Sequence, residues 1–405
     1  MTIKKINFEQ LTYYSLLLFA FALPLSRATN SFFVFFLLLL VLLKRDYKTS
    51  WQTLKENSIF LYIALFIGYL YLSALWSSDI DALLKQLRMY GYWMVIPCFV
   101  ILAKKEWLYA VLNAFLLGMF ISEILAYGIW LEWWSFNGRD ASYPTPFMTH
   151  IHYSVFLAFT SLVLFYRFLF EQSSLKVRVP MFLFFVLTTT NLMISTGRTG
   201  QLAFFVTLFL VFVVRYRLSI KSLALSVVFG ASIIALSYQT LPLFEKRADA
   251  AIHDVKKILN ENYNTSFGVR AAWWIITYDA LKEEPLLGYG LGDYNEAAKN
   301  AVATHQYEGL SAHLKKYVAK AHYHNQYLMV AVQGGLLGLG LMFLLFYKLL
   351  RLPIQDKELK HLSVIAFVVF LVAFVGEPLW LLQFPLMLFV FTTGLFITAA
   401  KRTSG

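Results

Sequence analysis

Residues Phe32 to Leu43 form an unbroken run of apolar side chains, and comparable runs recur along most of the chain. An amphipathic helix of a soluble domain interrupts such a run every few positions with polar residues. A membrane β-strand alternates apolar and polar residues along its length. Only a helix surrounded by lipid or by other apolar helices tolerates the pattern seen here. Composition agrees: 59% of the 405 residues are apolar and 14% are charged, against about 25% charged in soluble domains. One helical bilayer span takes roughly 20 residues. About twelve spans are expected, at 11–26, 30–44, 58–76, 84–102, 107–131, 152–170, 179–195, 199–215, 219–237, 325–350, 361–376 and 380–399. The sequence therefore predicts an all-α integral membrane protein. Its basic start runs into an apolar stretch with no small-residue cleavage site, so the first span reads as retained.

The net charge of +12 orients the chain. With a cytoplasmic N-terminus, 20 of the 35 Lys and Arg fall in inner segments, and only Arg27, Lys85, Arg88, Arg139 and Arg198 fall in short outer ones. That asymmetry is the positive-inside signature, so the basic excess says nothing of nucleic acid. Both termini are expected to be cytoplasmic. Cys98 is the single cysteine, which excludes an internal disulfide and a Cys-x-x-Cys metal site.

Three regions follow: spans 1–9 over 1–237, a large outer loop over 238–322, and spans 10–12 over 323–405. Loop helices are expected at about 243–260, 270–283 and 295–320. The middle one carries Trp273, Trp274 and Tyr278, residue types suited to a headgroup interface.

Several polar residues sit where burial is costly. Arg198 lies in Ser195-Thr-Gly-Arg-Thr-Gly-Gln201 between two apolar runs, and a guanidinium fork suits phosphate oxygens. The flanking Gly197 and Gly200 are expected to let a ligand approach the backbone. Arg270 stands near the start of an amphipathic loop helix, a place that favours anions. His322 and His324 precede Asn325-Gln-Tyr-Leu328, and an imidazole suits acid–base work near neutrality. Asn325 is a candidate donor to a sugar or phosphate. Glu377, in Gly376-Glu-Pro378, is a carboxylate at the edge of a span. Lys85 and Arg88 are further candidates for an anionic headgroup. His150 and His152 could join His322 and His324 around a metal, but no carboxylate pattern accompanies them. The loop lacks an Asp-x-Asp pair, so arginine and lysine must balance any bound diphosphate. Pro285-Leu-Leu-Gly-Tyr-Gly-Leu-Gly292 lacks the Gly-Lys-Ser/Thr of a P-loop and reads as a turn.

The order of these motifs is more specific than any one of them. Thr196-Gly-Arg-Thr-Gly200, Arg270-x-x-Trp-Trp274, the Pro285–Gly292 turn and His324-Asn-Gln-Tyr-Leu328 follow one another around one outer loop. This arrangement resembles the O-antigen ligase family, in the group that also holds O-antigen polymerases and protein O-oligosaccharyltransferases. The distinctive part covers about 195–340.

The resemblance implies a GT-C-type glycosyltransferase of the bacterial inner membrane. Such an enzyme moves a polysaccharide from undecaprenyl diphosphate to a sugar hydroxyl of lipid A–core on the periplasmic side. It implies metal-independent, inverting transfer without a cofactor. Arg198 and Arg270 would bind the donor diphosphate. His324 would be the catalytic base, with His322 as the alternative. A polymerase or a protein O-oligosaccharyltransferase would use the same donor. The latter often carries a further C-terminal soluble region, and this sequence ends just past its last expected span. A transporter would show inverted repeats and broken mid-membrane helices, which the sequence lacks.

Overall fold

The protein is described here by a computed structural model covering residues 7–170 and 174–401. Lys4, Lys5 and Arg402, counted above as inner charges, lie outside the described residues. The described residues form eighteen α-helices joined by short turns, with no β-strand among them. In chain order these are α1 (Phe8–Ala22), α2 (Arg27–Lys44), α3 (Tyr47–Glu56), α4 (Ile59–Leu72), α5 (Ile80–Gly91), α6 (Val95–Leu102), α7 (Leu108–Trp130), α8 (His150–Phe170) and α9 (Leu175–Ile194). There follow α10 (Arg198–Tyr216), α11 (Ile220–Thr240), α12 (Pro242–Leu259), α13 (Ser266–Glu283), α14 (Tyr294–Thr304), α15 (Ala312–Val318), α16 (Gln326–Leu350), α17 (Lys357–Ala373) and α18 (Gln383–Ala400).

Nine stretches among the described residues are long and apolar enough to cross a membrane: α2, α4 with its following turn, α7 with its preceding turn, α8, α9, α10, α11, α16 and α18. The chain is a membrane protein. The other three expected spans coincide with shorter or broken elements. α1 has 15 residues and ends just before Pro24. The run 84–102 divides into α5 and α6 at a tight turn, Tyr92–Met94. α17 has 17 residues.

Sequence dictates position in the bundle. α8 and α18 present apolar residues on every face and are buried along most of their length, as a helix with no continuous polar side must be. α10 packs along α8 and α17. Small residues allow this contact: a Cβ on Gly200 would stand 2.1 Å from the Ser154 carbonyl oxygen, and one on Gly197 2.5 Å from that of His150. The two glycines beside Arg198 thus admit α8, and the expectation that they clear the backbone for a ligand is overturned.

The loop helices α13–α15 have a second apolar core of their own, continuous with the start of α16 through Leu328, Met329 and Val332. Trp273 is fully buried there against Tyr323, ring centres 4.2 Å apart, while Trp274 and Tyr278 are exposed. Only the latter two remain available to an interface. The single helix expected at 295–320 is instead two. The backbone at Gly309 presses on the Glu261 carbonyl, and Ser311 starts a new helix by accepting from the Leu314 amide.

The glycine-rich turn clamps this loop to the bundle. Gly335 interrupts α16 at φ +62°, a conformation that L side chains avoid. The freed backbone groups of α16 are satisfied by the turn: Tyr289 N–H donates to Val332 O at 2.8 Å, and Leu336 N–H to Pro285 O at 2.9 Å. A broken helix at membrane depth needs such partners. Beyond the turn, the Asp293 carboxylate accepts from the amides of Ser78 and Asp79 at 2.8–2.9 Å. The loop is therefore tied to both α4–α5 and α16.

Candidate active site

Glu377 is the centre of the polar cluster. It lies in the turn after α17, is 2% exposed, and accepts from two imidazoles. His322 Nε2 donates to Oε1 at 3.0 Å, and His324 Nδ1 donates to Oε2 at 3.0 Å. Arg270 completes the set, with its guanidinium 3.9 Å from Oε2 and its Nε donating to Gly376 O at 3.4 Å. Burial alone would push the Glu377 carboxyl up. The hydrogen bonds and charges of His322 and His324 overcome that and hold it at about 2.

Local structure places each group. Asn325 caps α16, its Oδ1 accepting from the Tyr327 and Leu328 amides at 2.8 and 3.1 Å. Its Nδ2 donates to Val375 O at 3.1 Å, which ties the Glu377 turn to the histidine turn. Asn325 is 2% exposed. The expectation that it serves a sugar or phosphate is replaced by an architectural role. His324 itself adopts φ +43°, a left-handed conformation costing a non-glycine residue about 1–3 kcal/mol. In the neutral imidazole that gives Nδ1–H to Glu377, Nε2 carries the lone pair; it lies 3.1 Å from the Tyr317 hydroxyl.

Arg198 opens α10. It lies over the Phe267 ring at 4.6 Å, pairs with Asp254 at 3.5 Å, and donates to Arg247 O at 3.2 Å. The neighbouring Thr199 packs on Gly376, so the segment abuts the Glu377 turn. The charges of Arg247 and Arg270 reach Arg198, and those of Arg247, Arg139, Arg270 and Glu377 reach His150. The result is a group of arginines set around two carboxylates, Glu377 and Asp254.

Not every sequence candidate joins it. Lys85 and Arg88 are exposed on α5, and no hydrogen bond or ion pair among the described residues ties either to the cluster. His150 is paired with the Tyr143 hydroxyl at 2.7 Å. The four-histidine metal set anticipated above is therefore not assembled. His322, His324 and Glu377 do offer ligand atoms within 4.8 Å of one another, because Glu377 supplies the carboxylate that sequence spacing does not show. Tyr317, Arg139 and Arg247 were not singled out from sequence, since none sits in a patterned motif.

The cluster can polarise a hydroxyl at His324 Nε2 and balance anionic oxygens with Arg270 and Arg198. Residues 183–344 match the family model described as O-antigen ligase. An uncharacterised protein of Haemophilus influenzae is 26% identical over 236 residues, which cover 56% of this chain and 57% of that protein. The alignment thus spans little more than half of the relative's length. The match at 183–344 contains Arg198, Arg270, His322 and His324 and ends within α16: over this stretch the chain is similar to the O-antigen ligase family.

Proposed function

We propose that the protein is an O-antigen ligase, transferring a polysaccharide from undecaprenyl diphosphate to a sugar hydroxyl of lipid A–core in lipopolysaccharide biosynthesis. In this reading the chain is a GT-C-type transferase crossing the bacterial inner membrane about twelve times. Its 1–237 and 323–405 regions form the membrane part, both termini are cytoplasmic, and the 238–322 loop is periplasmic. The observation that carries the reading is His324, held by Glu377 through Nδ1 with Nε2 directed away from the carboxylate, beside an arginine on the same carboxylate.

The steps follow from those groups. The acceptor hydroxyl takes the place of the Tyr317 hydroxyl at His324 Nε2 and gives up its proton there. The acceptor oxygen forms a bond to the anomeric carbon as the bond from that carbon to the diphosphate oxygen breaks. Attack opposite the leaving group inverts the anomeric centre. The diphosphate leaves with the electron pair, its charge met by Arg270 and Arg198. Such stabilisers act most strongly in the transition state. Glu377 orients His324 and balances the imidazolium that forms. His322, on the other carboxylate oxygen, is the alternative base.

Metal-independent, cofactor-free transfer is part of the proposal. The guanidinium beside Glu377 supplies positive charge where a dication would sit, and opposes its binding. Full transfer in the presence of a chelator is expected. Loss of activity restored by added metal would assign His322, His324 and Glu377 as ligands instead.

The deciding experiment is a lipopolysaccharide gel from cells lacking the gene, with lipid-linked glycans extracted in parallel. Loss of the whole ladder, with long polymer left on undecaprenyl diphosphate, supports the ligase. A core bearing a single repeat unit identifies a polymerase. An unchanged ladder overturns both and points to a protein O-oligosaccharyltransferase or a transporter.

A further inference from the structure

The end of the bundle opposite Glu377 holds a second built feature. α16 leads from Asn325, beside the cluster, through 25 residues to Leu350, about 37 Å away. There Lys348, Arg351 and Lys401 line a cavity of about 570 Å³, together with Glu56, Asn57 and Ser58. No ion pair among the described residues includes any of the three cations. Lys348 rests on the Tyr62 ring at 4.7 Å, and Arg351 on Tyr347 at 4.6 Å. Lys401 Nζ donates to Ala103 O at 3.0 Å. Glu56, the one carboxylate in the lining, is bound by the Gln52 side chain at 2.7 Å. Positive charge is in excess here, with three cations in the lining against one carboxylate.

Asn57 and Ser58 also line a second cavity, of about 580 Å³, so the two adjoin at these residues. This one is an apolar groove along α4, walled by Trp51, Ile67, Tyr71, Trp93, Met94 and Pro97. From Asn57 to Tyr71 the groove follows α4 for about 21 Å, more than half of the roughly 30 Å hydrocarbon core. Gly68 lines it, and a Cβ there would meet nothing within 4 Å. Neither packing nor backbone conformation requires this glycine, which costs a helix about 1 kcal/mol relative to alanine. Its absent side chain widens the groove.

We propose that this cup and groove bind an anionic glycerophospholipid of the leaflet opposite the candidate active site. The phosphate headgroup sits between Lys348, Arg351 and Lys401, and an acyl chain lies along α4 past Gly68. Charge complementarity chooses the headgroup, because a zwitterionic lipid leaves the cationic excess unbalanced. Length and adjacency choose a lipid over free phosphate, which would leave the groove without a tenant. The proposal requires only that the chain be a membrane protein, so it stands or falls apart from the transferase reading.

The test is native mass spectrometry of the full chain purified in mild detergent, with added phosphatidylglycerol or phosphatidylcholine. Phosphatidylglycerol adducts should exceed phosphatidylcholine adducts at least tenfold at equal concentration. The double substitution K348Q/R351Q should abolish that preference while leaving phosphatidylcholine binding unchanged. Gly68→Leu, whose Cβ meets nothing within 4 Å, should lower binding of both lipids. Equal binding of the two lipids by the unsubstituted protein overturns the proposal, as does a preference that survives K348Q/R351Q. Retention of a polyprenyl phosphate in place of phospholipid would assign the groove to the donor's tail and overturn it too.

Discussion

Glu377 and Glu123 are both carboxylates at 2% exposure, yet their surroundings differ in kind. Glu377 accepts from two histidines and stands beside Arg270. Glu123, midway along α7, accepts from the Thr188 hydroxyl at 2.9 Å, and its other oxygen has no partner. Its neighbours Ser122, Tyr153 and Asn191 are linked to one another by neutral hydrogen bonds. No cation pairs with it among the described residues. Burial of a carboxylate is therefore not by itself a mark of chemistry. The mark is the company of groups that can donate, accept and carry charge.

The comparison breaks if substitutions at the two carboxylates' surroundings have similar effects. The largest expected effect is at His324. His324→Ala should lower glycan transfer by about 10²–10⁴-fold, the span of one general base, with membrane abundance unchanged on an immunoblot. Full activity in that variant would pass the role to His322. Arg198→Ala and Arg270→Ala should each cost about 10²–10³-fold, as loss of one electrostatic stabiliser does. Transfer measured on purified donor and acceptor reads this directly.

Acidity sharpens the contrast. Glu377 is held at about 2, below the usual carboxylate range, so its stabilising contribution is complete above that range. It is lost as pH falls through that range toward 2. The melting temperature in detergent should fall between pH 5 and pH 3 as carboxylates protonate, and fall less in Glu377→Gln. An equal fall in both proteins would deny the histidines their hold on this group. Next in size is Asn325→Ala, which removes a helix cap worth about 1 kcal/mol and frees the Glu377 turn from Val375. It should lower both melting temperature and transfer. The smallest change belongs to Glu123→Gln. The amide keeps the acceptor for Thr188, so stability should move by less than about 1 kcal/mol, the net value of one hydrogen bond, and transfer should persist.

Most helices were legible because lipid and core impose the same demand, an uninterrupted apolar surface. Arg198, Arg270, His324 and Glu377 were legible because each is a polar residue where burial is expensive. The convergence of Arg270, His322 and His324 on Glu377 was not, since it depends on how α13, α16 and α17 pack. Arg247 reads as one of several solvated cations on α12 until tertiary structure places its charge near Arg198 and His150. Gly197 and Gly200 show the same limit: a glycine signals close approach, and only packing tells whether a ligand or a helix approaches. The break at Gly335 lay inside a run that otherwise reads as a continuous span.

His324 precedes α16, and Glu377 follows α17. In the proposed topology two crossings separate them, so one helix that fails to insert leaves the imidazole and the carboxylate on opposite sides of the bilayer. The 3.0 Å contact between them is thus a record of correct threading. In the proposed reading, transfer activity therefore reports correct insertion: a chain inserted with one crossing missing cannot bring His324 to Glu377, however well its remaining helices pack.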